Sequence, residues 1–300
     1  MSIYRRICAA ITDNTLPKDF YIDSNAPSKK IRFAPGAMDG IMMYSMGVSQ
    51  KECPDDLIRE IIAASPENTY NTEAVERALD GQYMLSIIDD LQGKIKGNAD
   101  MKNTFLLGMQ LITESDSTEA VKLGLSLLEL FNTEDYPEVI ETISKLALYE
   151  EFTLFCGFII RYYHDADDRL MEIASHINGW GKIFIVNDLL GNSEKVGSWL
   201  IRYGCRNNIL NNYTAYRIAE RTGLEAMLKE RRPESFDDEE LRGIADIVSG
   251  LWDEEPCSGL SALNDPDGFL NDIAKLFTVN RSPQSAEILG MIEKSQENKE

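Results

Sequence analysis

The sequence predicts an all-α protein of stacked antiparallel helical hairpins, arranged as an α-solenoid or as an irregular multi-helical array. Three observations predict this class. Apolar residues recur at spacings of three and four, as at Val139, Ile143 and Leu146, and such residues share one helix face. Prolines such as Pro54 and Pro266 stand where helices would begin. Connections of about one to four residues make neighbouring helices antiparallel.

The first fifty residues differ in character from the rest of the chain. They hold three of the ten prolines and an irregular polar run over 23–30. The elements predicted there are helices over 3–11 and 36–46 and short extended pieces over 20–22 and 31–33. We therefore predict an irregular N-terminal segment with short helices, 1–50, packed on a helical-repeat-like domain, 51–300.

Helix signals begin at Pro54. A proline suits the first helical position because its missing N–H would be unpaired there, which favours a helix over 55–64. The helical pattern continues over 72–96, where Gly81 or Gly93 would interrupt it. The next predicted helices are 100–113, 117–131 and 135–149.

The later helices carry equally local signals. Residues 152–160 are apolar on nearly all sides, so a helix over 151–164 would be covered by its neighbours; a buried strand is the alternative. Asp237, with Glu240 three residues later, is a capping start for a helix over 237–253. The remaining predicted helices are 167–178, 180–190, 193–203, 206–221, 224–231, 266–278 and 283–296.

A resemblance to a known class of repeats rests on three stretches. They are residues 136–143 with the apolar helix that follows from Glu151, residues 179–183, and residues 204–208. On these, the chain from about 100 to 230 resembles the HEAT/armadillo class of helical repeats, in particular uncharacterised bacterial HEAT-like proteins. The resemblance implies a HEAT-like α-solenoid, but it does not bring an established function with it. The predicted hairpins of this chain are about 25–30 residues long, whereas HEAT and armadillo repeats are about 40–47 residues long.

Charge narrows the classes of partner. The chain has 50 acidic and 30 basic residues, a net charge of −20 and a pI near 4.6. Affinity for nucleic acid comes mainly from Lys and Arg, and anionic lipids likewise attract basic segments. We therefore expect neither nucleic acid nor a membrane as partner. A protein partner with a basic surface is expected instead, and the oligomeric state stays open.

The cysteines and the N-terminus indicate the compartment. The five cysteines are far apart and never form CxxC, which is typical of thiols in a reducing compartment rather than of disulfides or a zinc site. The apolar patch near the start is too short for a secretory signal, and no stretch is long enough to span a bilayer. A cytoplasmic protein is the expectation.

The sequence offers few groups for chemistry. His164 and His176 are twelve residues apart, unlike the i, i+4 pair of a zinc-binding helix. Asp165, Asp167 and Asp168 could hold a hard cation, but a turn that starts the next helix is the favoured interpretation. We predict no catalytic residue, no metal and no cofactor.

One cluster of aromatic, arginine and amide side chains is the candidate partner-binding site. Such groups dominate the hot spots of protein interfaces, although caps, core positions and ion pairs are their commoner uses. The candidate residues are Trp180, Arg202, Arg206, Asn207, Asn211 and Tyr213.

These observations favour a non-catalytic scaffold or adaptor that binds a basic protein on an acidic helical-repeat surface. One alternative is an inhibitor or immunity-type protein that covers a basic toxin or enzyme. Another is a hydrolase-like enzyme with His164 or His176 beside a carboxylate of raised pKa, in a pocket between helices. A HEAT-like DNA glycosylase would need a basic groove, which the net charge disfavours.

Overall fold

The computed structural model describes residues 1–22 and 33–297, and it confirms the all-α class. These described residues are 67% helical, with 17 α-helices and no strand among them. Residues 20–22, predicted as an extended piece, form neither helix nor strand. The polar run 23–30 and most of the second extended piece, 31–33, lie outside the described residues.

The helices occupy the stretches that the periodicity predicts, with differences at their ends. They are α1 (Ile3–Ala10), α2 (Ala37–Ile41), α3 (Asp55–Ile62), α4 (Thr72–Ala78), α5 (Met84–Ile95), α6 (Met101–Glu114), α7 (Thr118–Leu128), α8 (Pro137–Ala147), α9 (Thr153–Ile160), α10 (Ala166–Ser175), α11 (Trp180–Asp188), α12 (Glu194–Trp199), α13 (Asn212–Thr222), α14 (Leu224–Glu230), α15 (Asp238–Trp252), α16 (Pro266–Val279) and α17 (Pro283–Glu297). Two single π-helical turns continue α2 and α12, over Met42–Met46 and Leu200–Gly204. Short 3₁₀ turns cover Pro66–Asn71, Pro233–Ser235 and Leu260–Ala262.

Two predicted helices differ from the observed ones: one is interrupted and the other begins later. The stretch 72–96 is broken at Gly81, whose φ of 73° is the left-handed conformation that glycine adopts easily. Gly93, the other predicted break, lies inside α5. The helix predicted over 206–221 begins only at Asn212, because the side chain of Asn207 holds the preceding residues in a loop.

Helix starts follow the predicted capping chemistry. Asp237 accepts hydrogen bonds from the Glu239 and Glu240 amides at 3.0 Å each, and the Glu240 side chain accepts the Asp237 amide. Asp265 accepts the Gly268 amide at 3.0 Å, with Pro266 at the first position of α16. Each contact satisfies an N–H that the helix leaves unpaired.

The chain forms two compact units, Met1–Gly181 and Lys182–Glu300, so the boundary falls within α11. Residues 1–22 and 33–50 belong to the first unit. Its core contains α7, in which every residue from Ala120 to Leu128 is buried. The apolar stretch 152–160 is a helix, as predicted, and α9 packs against α7 and α8.

The second unit is organised by α15. One face of this helix is buried against α13, and Gly243 allows the backbone of the Leu200–Gly204 turn to come close. α14, α16 and α17 complete the unit. In residues 1–22 and 33–297, none of the helices combines the length and apolar character that crossing a bilayer requires.

Candidate functional site: a methionine-rich helix anchored by a buried lysine

A fully buried lysine lies in the first unit. Lys122, in the middle of α7, is 1% exposed. Its Nζ lies 2.6 Å from Glu151 Oε1, 3.0 Å from Asp39 Oδ2 and 3.4 Å from Glu119 Oε1. Charged side chains are almost never buried without such partners, because the loss of hydration would not be offset. Together these four residues form the Lys122 network.

The electrostatics keep Lys122 charged. Burial by itself would lower the pKa of the ammonium group, but the carboxylates raise that pKa well above its ordinary value. The Phe155 and Tyr83 rings lie 5.6 and 5.9 Å from Nζ and add cation–π attraction. The Tyr83 hydroxyl donates to Asp39 Oδ1 at 2.5 Å, and burial together with the Asp39 charge raises the tyrosine pKa.

Backbone amides occupy carboxylate oxygens that Lys122 leaves free. Glu151 Oε2 accepts the Gly36 amide at 2.7 Å, and Glu119 Oε2 accepts the Met84 amide at 2.9 Å. The network therefore joins the start of α2, the start of α5, α7 and the α8–α9 connection. Since its acceptors are engaged by donors, the arrangement positions backbone segments rather than supplying a free base.

The anchored segment is α2 with its π-helical turn. Trp180 lies against Gly40, where a Cβ would come within 2.0 Å of the indole, so only glycine permits this approach. The Tyr44 ring stacks on Trp180 with centroids 6.4 Å apart and an interplanar angle of 15°. Glu150 fixes the start of α11 by accepting the Gly179 and Gly181 amides at 2.9 and 2.8 Å.

The outer face of this segment is rich in exposed methionine. Met38, Met43 and Met46 are 43%, 39% and 73% exposed, and we call these three residues the methionine patch. No charged residue occurs over 40–50. Methionine is flexible and polarizable and is over-used at binding surfaces that accept varied partners, and π-helical turns are frequent at functional sites. Exposed apolar side chains grouped on one short segment are candidates for an interaction site.

The six residues predicted to bind a partner are divided between the two units. Trp180 belongs to the first unit and is buried, whereas the other five belong to the second unit. Arg202 Nη1 lies 2.6 Å from Asp237 Oδ1. Arg206 pairs with Asp246 at 3.0 Å and with Glu239 at 3.2 Å.

The predicted amide and tyrosine residues also make contacts inside their unit. Asn207 Nδ2 donates to the Cys205 and Leu210 carbonyls at 3.0 and 3.1 Å. Asn211 Nδ2 donates to the Asp246 carbonyl at 3.4 Å. Tyr213 is half-buried, and its carbonyl accepts a hydrogen bond from a side-chain amide at 3.0 Å. Partner binding by these residues stays a prediction.

Both histidines lie beside a glutamate. His164 Nδ1 is 2.6 Å from Glu134 Oε2, and His176 Nε2 is 3.1 Å from Glu172 Oε1. The His164 amide, donating to Glu134, lowers the pKa of that carboxyl group. A catalytic carboxylate of the predicted kind would need a raised pKa, so the shift at Glu134 runs opposite to the enzyme alternative.

The acidic run after His164 starts a helix. Asp165 Oδ1 accepts a hydrogen bond from Arg169 Nε at 2.5 Å, which lowers the pKa of the Asp165 carboxyl group. Asp167 and Asp168 lie in the first turn of α10, where negative charge is favourable. No group of three metal-ligating side chains that could hold an ion occurs in the part of the chain that the structure describes.

Sequence reasoning missed the Lys122 network and the methionine patch. Two signals pointed to them: a single lysine within the apolar stretch 120–128, and four methionines over 38–46. Comparison with known proteins adds no name to either feature, since no family model, no curated protein and no solved structure matches this chain.

Proposed function

We propose that this protein is a non-catalytic interaction module, a scaffold or adaptor, that binds a protein partner through the methionine patch. The observation that carries the proposal is a set of three exposed methionines, with no charged residue over 40–50, on a segment that the Lys122 network holds from its buried side. A binding surface needs rigid support because any ordering on binding weakens affinity. An α-solenoid of HEAT-like hairpins, which would present such a surface, remains part of this proposal.

The proposed partner offers an amphipathic helix with an apolar face and basic flanks. The apolar face would cover the methionine side chains, which adapt to varied shapes. The basic flanks follow from charge complementarity, because the first unit carries 29 acidic and 16 basic residues. Such complementarity mainly speeds association and excludes acidic competitors.

A defined peptide tests this proposal. The probe is a helical peptide of about 14 residues containing only leucine on one face and lysine on the other. Binding is measured by fluorescence anisotropy to the whole chain, to the triple variant Met38→Ser/Met43→Ser/Met46→Ser, and to a control triple variant. The control, Leu190→Ser/Leu210→Ser/Val279→Ser, removes exposed apolar side chains of the second unit and keeps the same charge.

We expect the methionine variant to weaken binding at least tenfold, since covering each half-exposed methionine contributes on the order of 1 kcal/mol. The control variant should bind like the natural chain. Equal affinities for the natural chain and the methionine variant would overturn the proposal, because purely electrostatic binding is unchanged by Met→Ser. A leucine–glutamate peptide that binds as tightly as the leucine–lysine peptide would overturn the basic-partner part.

A further inference from the structure

A second surface feature of the first unit is independent of the methionine patch. A cleft of about 300 Å³ lies between the start of α6 and the α7–α8 connection, and we call it the aromatic cleft. This volume is at the lower end of the range for small-ligand sites, about 300–1,000 Å³. Its lining residues are Met101, Lys102, Phe105, Phe131, Asn132 and Tyr136.

Three rings, together with Met101, form the apolar part of the cleft. Phe105 and Phe131 meet edge to face with centroids 5.3 Å apart, and Phe105 lies 6.0 Å from the Tyr136 ring at 45°. Tyr136 is 54% exposed, so part of its ring is open to a ligand. Tilted and edge-on rings at these distances leave aromatic surface on which another planar ring can pack.

The α7–α8 connection that carries two of these rings is tied to residues 161–164. Arg161 Nη2 donates to Glu129 Oε1 at 3.0 Å, and the Thr133 and Tyr163 hydroxyl oxygens are 2.6 Å apart. The His164 amide donates to Glu134 Oε1 at 2.7 Å. Three contacts spread along one short connection hold the cleft in a preformed shape, which is the usual state of ligand sites.

Two polar side chains of the lining, Lys102 and Asn132, offer hydrogen-bond donors. Lys102 is exposed, and its ammonium group makes no hydrogen bond or ion pair with the described residues. Asn132 uses its Oδ1 to accept the Glu134 amide at 3.1 Å, which leaves its NH₂ group as a donor. A ligand that satisfies these groups must bring an acceptor, and a carboxylate is the strongest one for an ammonium group.

We infer that the aromatic cleft binds an aromatic carboxylate, in which one or two carbons separate a planar ring from the acid group. The ring packs on Phe105, Phe131 and Tyr136, and the carboxylate meets Lys102 and Asn132. The net charge of −20 opposes an anion at long range, but salt screens charges beyond about 8–10 Å. A free aromatic acid and the C-terminal aromatic residue of a peptide share this chemistry.

The test uses fluorine NMR of N-acetyl-4-fluorophenylalanine and of its carboxamide, which differ only in the charged group. We expect the acid to bind the whole chain about two- to fivefold more tightly than the amide, the range that one exposed ion pair supports. The variant Lys102→Gln should remove that difference, and Tyr136→Ser should weaken both probes. The matched control Lys96→Gln changes an exposed lysine of the same unit outside the cleft and should keep the difference.

Equal binding of acid and amide by the natural chain would overturn the inference, as would the absence of binding by both probes. Retention of the acid preference in Lys102→Gln would overturn the assigned contact. Circular dichroism and melting of each variant establish that it is folded. A peptide ending in Gly-Gly-4-fluorophenylalanine separates the two sources: tighter binding than the acetylated amino acid supports a peptide terminus, and equal binding supports a free acid.

Discussion

At the scale of single residues, the buried ammonium group of Lys122 loses its hydration and gains ion pairs with carboxylates. Moving an ammonium group out of water costs several kcal/mol, and only close, well-satisfied carboxylates offset this cost. Asp39 and Glu151, within 3.0 Å of Nζ, provide that offset and come from segments far from α7 in sequence. The lysine therefore selects one arrangement of these segments over others that would leave a charge unpaired.

We predict that Lys122→Met destabilises the first unit by about 3–5 kcal/mol, because it leaves buried carboxylates without their cation. The free energy of unfolding is measured by urea denaturation followed by circular dichroism. Lys145→Met is the matched control. Lys145 pairs with Glu141 at 2.5 Å on the exposed face of α8, and such surface pairs contribute about 0–1 kcal/mol. Equal losses in the two variants would contradict a structural role for the network.

Arg206 and Lys122 differ in how far their ion pairs could be predicted from the sequence. The sequence suggests ion pairing for Arg206, since an arginine in so acidic a chain finds carboxylates easily, and it pairs with Asp246 and Glu239. Lys122 could not be assigned in this way. A lysine within an apolar stretch has no identifiable partner until distant segments such as that of Asp39 are placed beside it.

At the scale of helices, local signals decided most of the structure. Asp237 and Asp265 cap amides of the following helical turn, so both partners of each capping bond are neighbours in the sequence. The contacts of α2 and its π-helical turn could not be foreseen, because Gly40 and Tyr44 meet Trp180, which is distant in sequence. Such long-range contacts leave no periodic trace in the sequence.

The contact between α2 and Trp180 leads to a paired prediction. Gly40→Ala would place a Cβ about 2.0 Å from the indole, and we expect a net loss of about 1–2 kcal/mol although alanine favours helix. Gly93→Ala, in the exposed interior of α5 with open space around it, should instead stabilise by about 0.5–1 kcal/mol. Urea denaturation measures both. Stabilisation by Gly40→Ala would show that α2 does not approach Trp180 as described.

At the scale of the whole molecule, the sequence predicted the fold class but carried no signal for the observed units. The boundary between Gly181 and Lys182 lies inside α11, where no proline and no run of charged residues marks a linker. Units are defined by contacts between distant residues, whereas periodicity reports only on neighbours within a helix. The methionine patch escaped prediction for the same reason, since exposure depends on what covers a helix.

The carboxyl groups of the whole chain determine how its stability changes as pH falls. Hydrogen bonds and cations lower the pKa of carboxyl groups in both units, to about 2 for Asp237, which Arg202 and two backbone amides hold ionised. Other carboxyl groups with lowered pKa include Glu67, Asp90, Glu134, Glu141, Asp165 and Glu240. A group with a lowered folded-state pKa stabilises above its unfolded pKa, and this contribution disappears as pH falls through the folded value.

We therefore predict that the free energy of unfolding falls steadily from pH 4.5 to pH 2, although acid also removes the negative charges that repel one another near neutrality. Urea denaturation at several pH values measures this. Asp237→Asn keeps a capping side chain but cannot ionise, so it should lose less stability over this range than the natural chain. The difference should be about 0.2–1 kcal/mol, the range for exposed ion pairs. If stability stayed constant or rose below pH 4.5, the gain from neutralising mutually repelling carboxylates would exceed the loss from protonating the paired ones, and the prediction would be wrong.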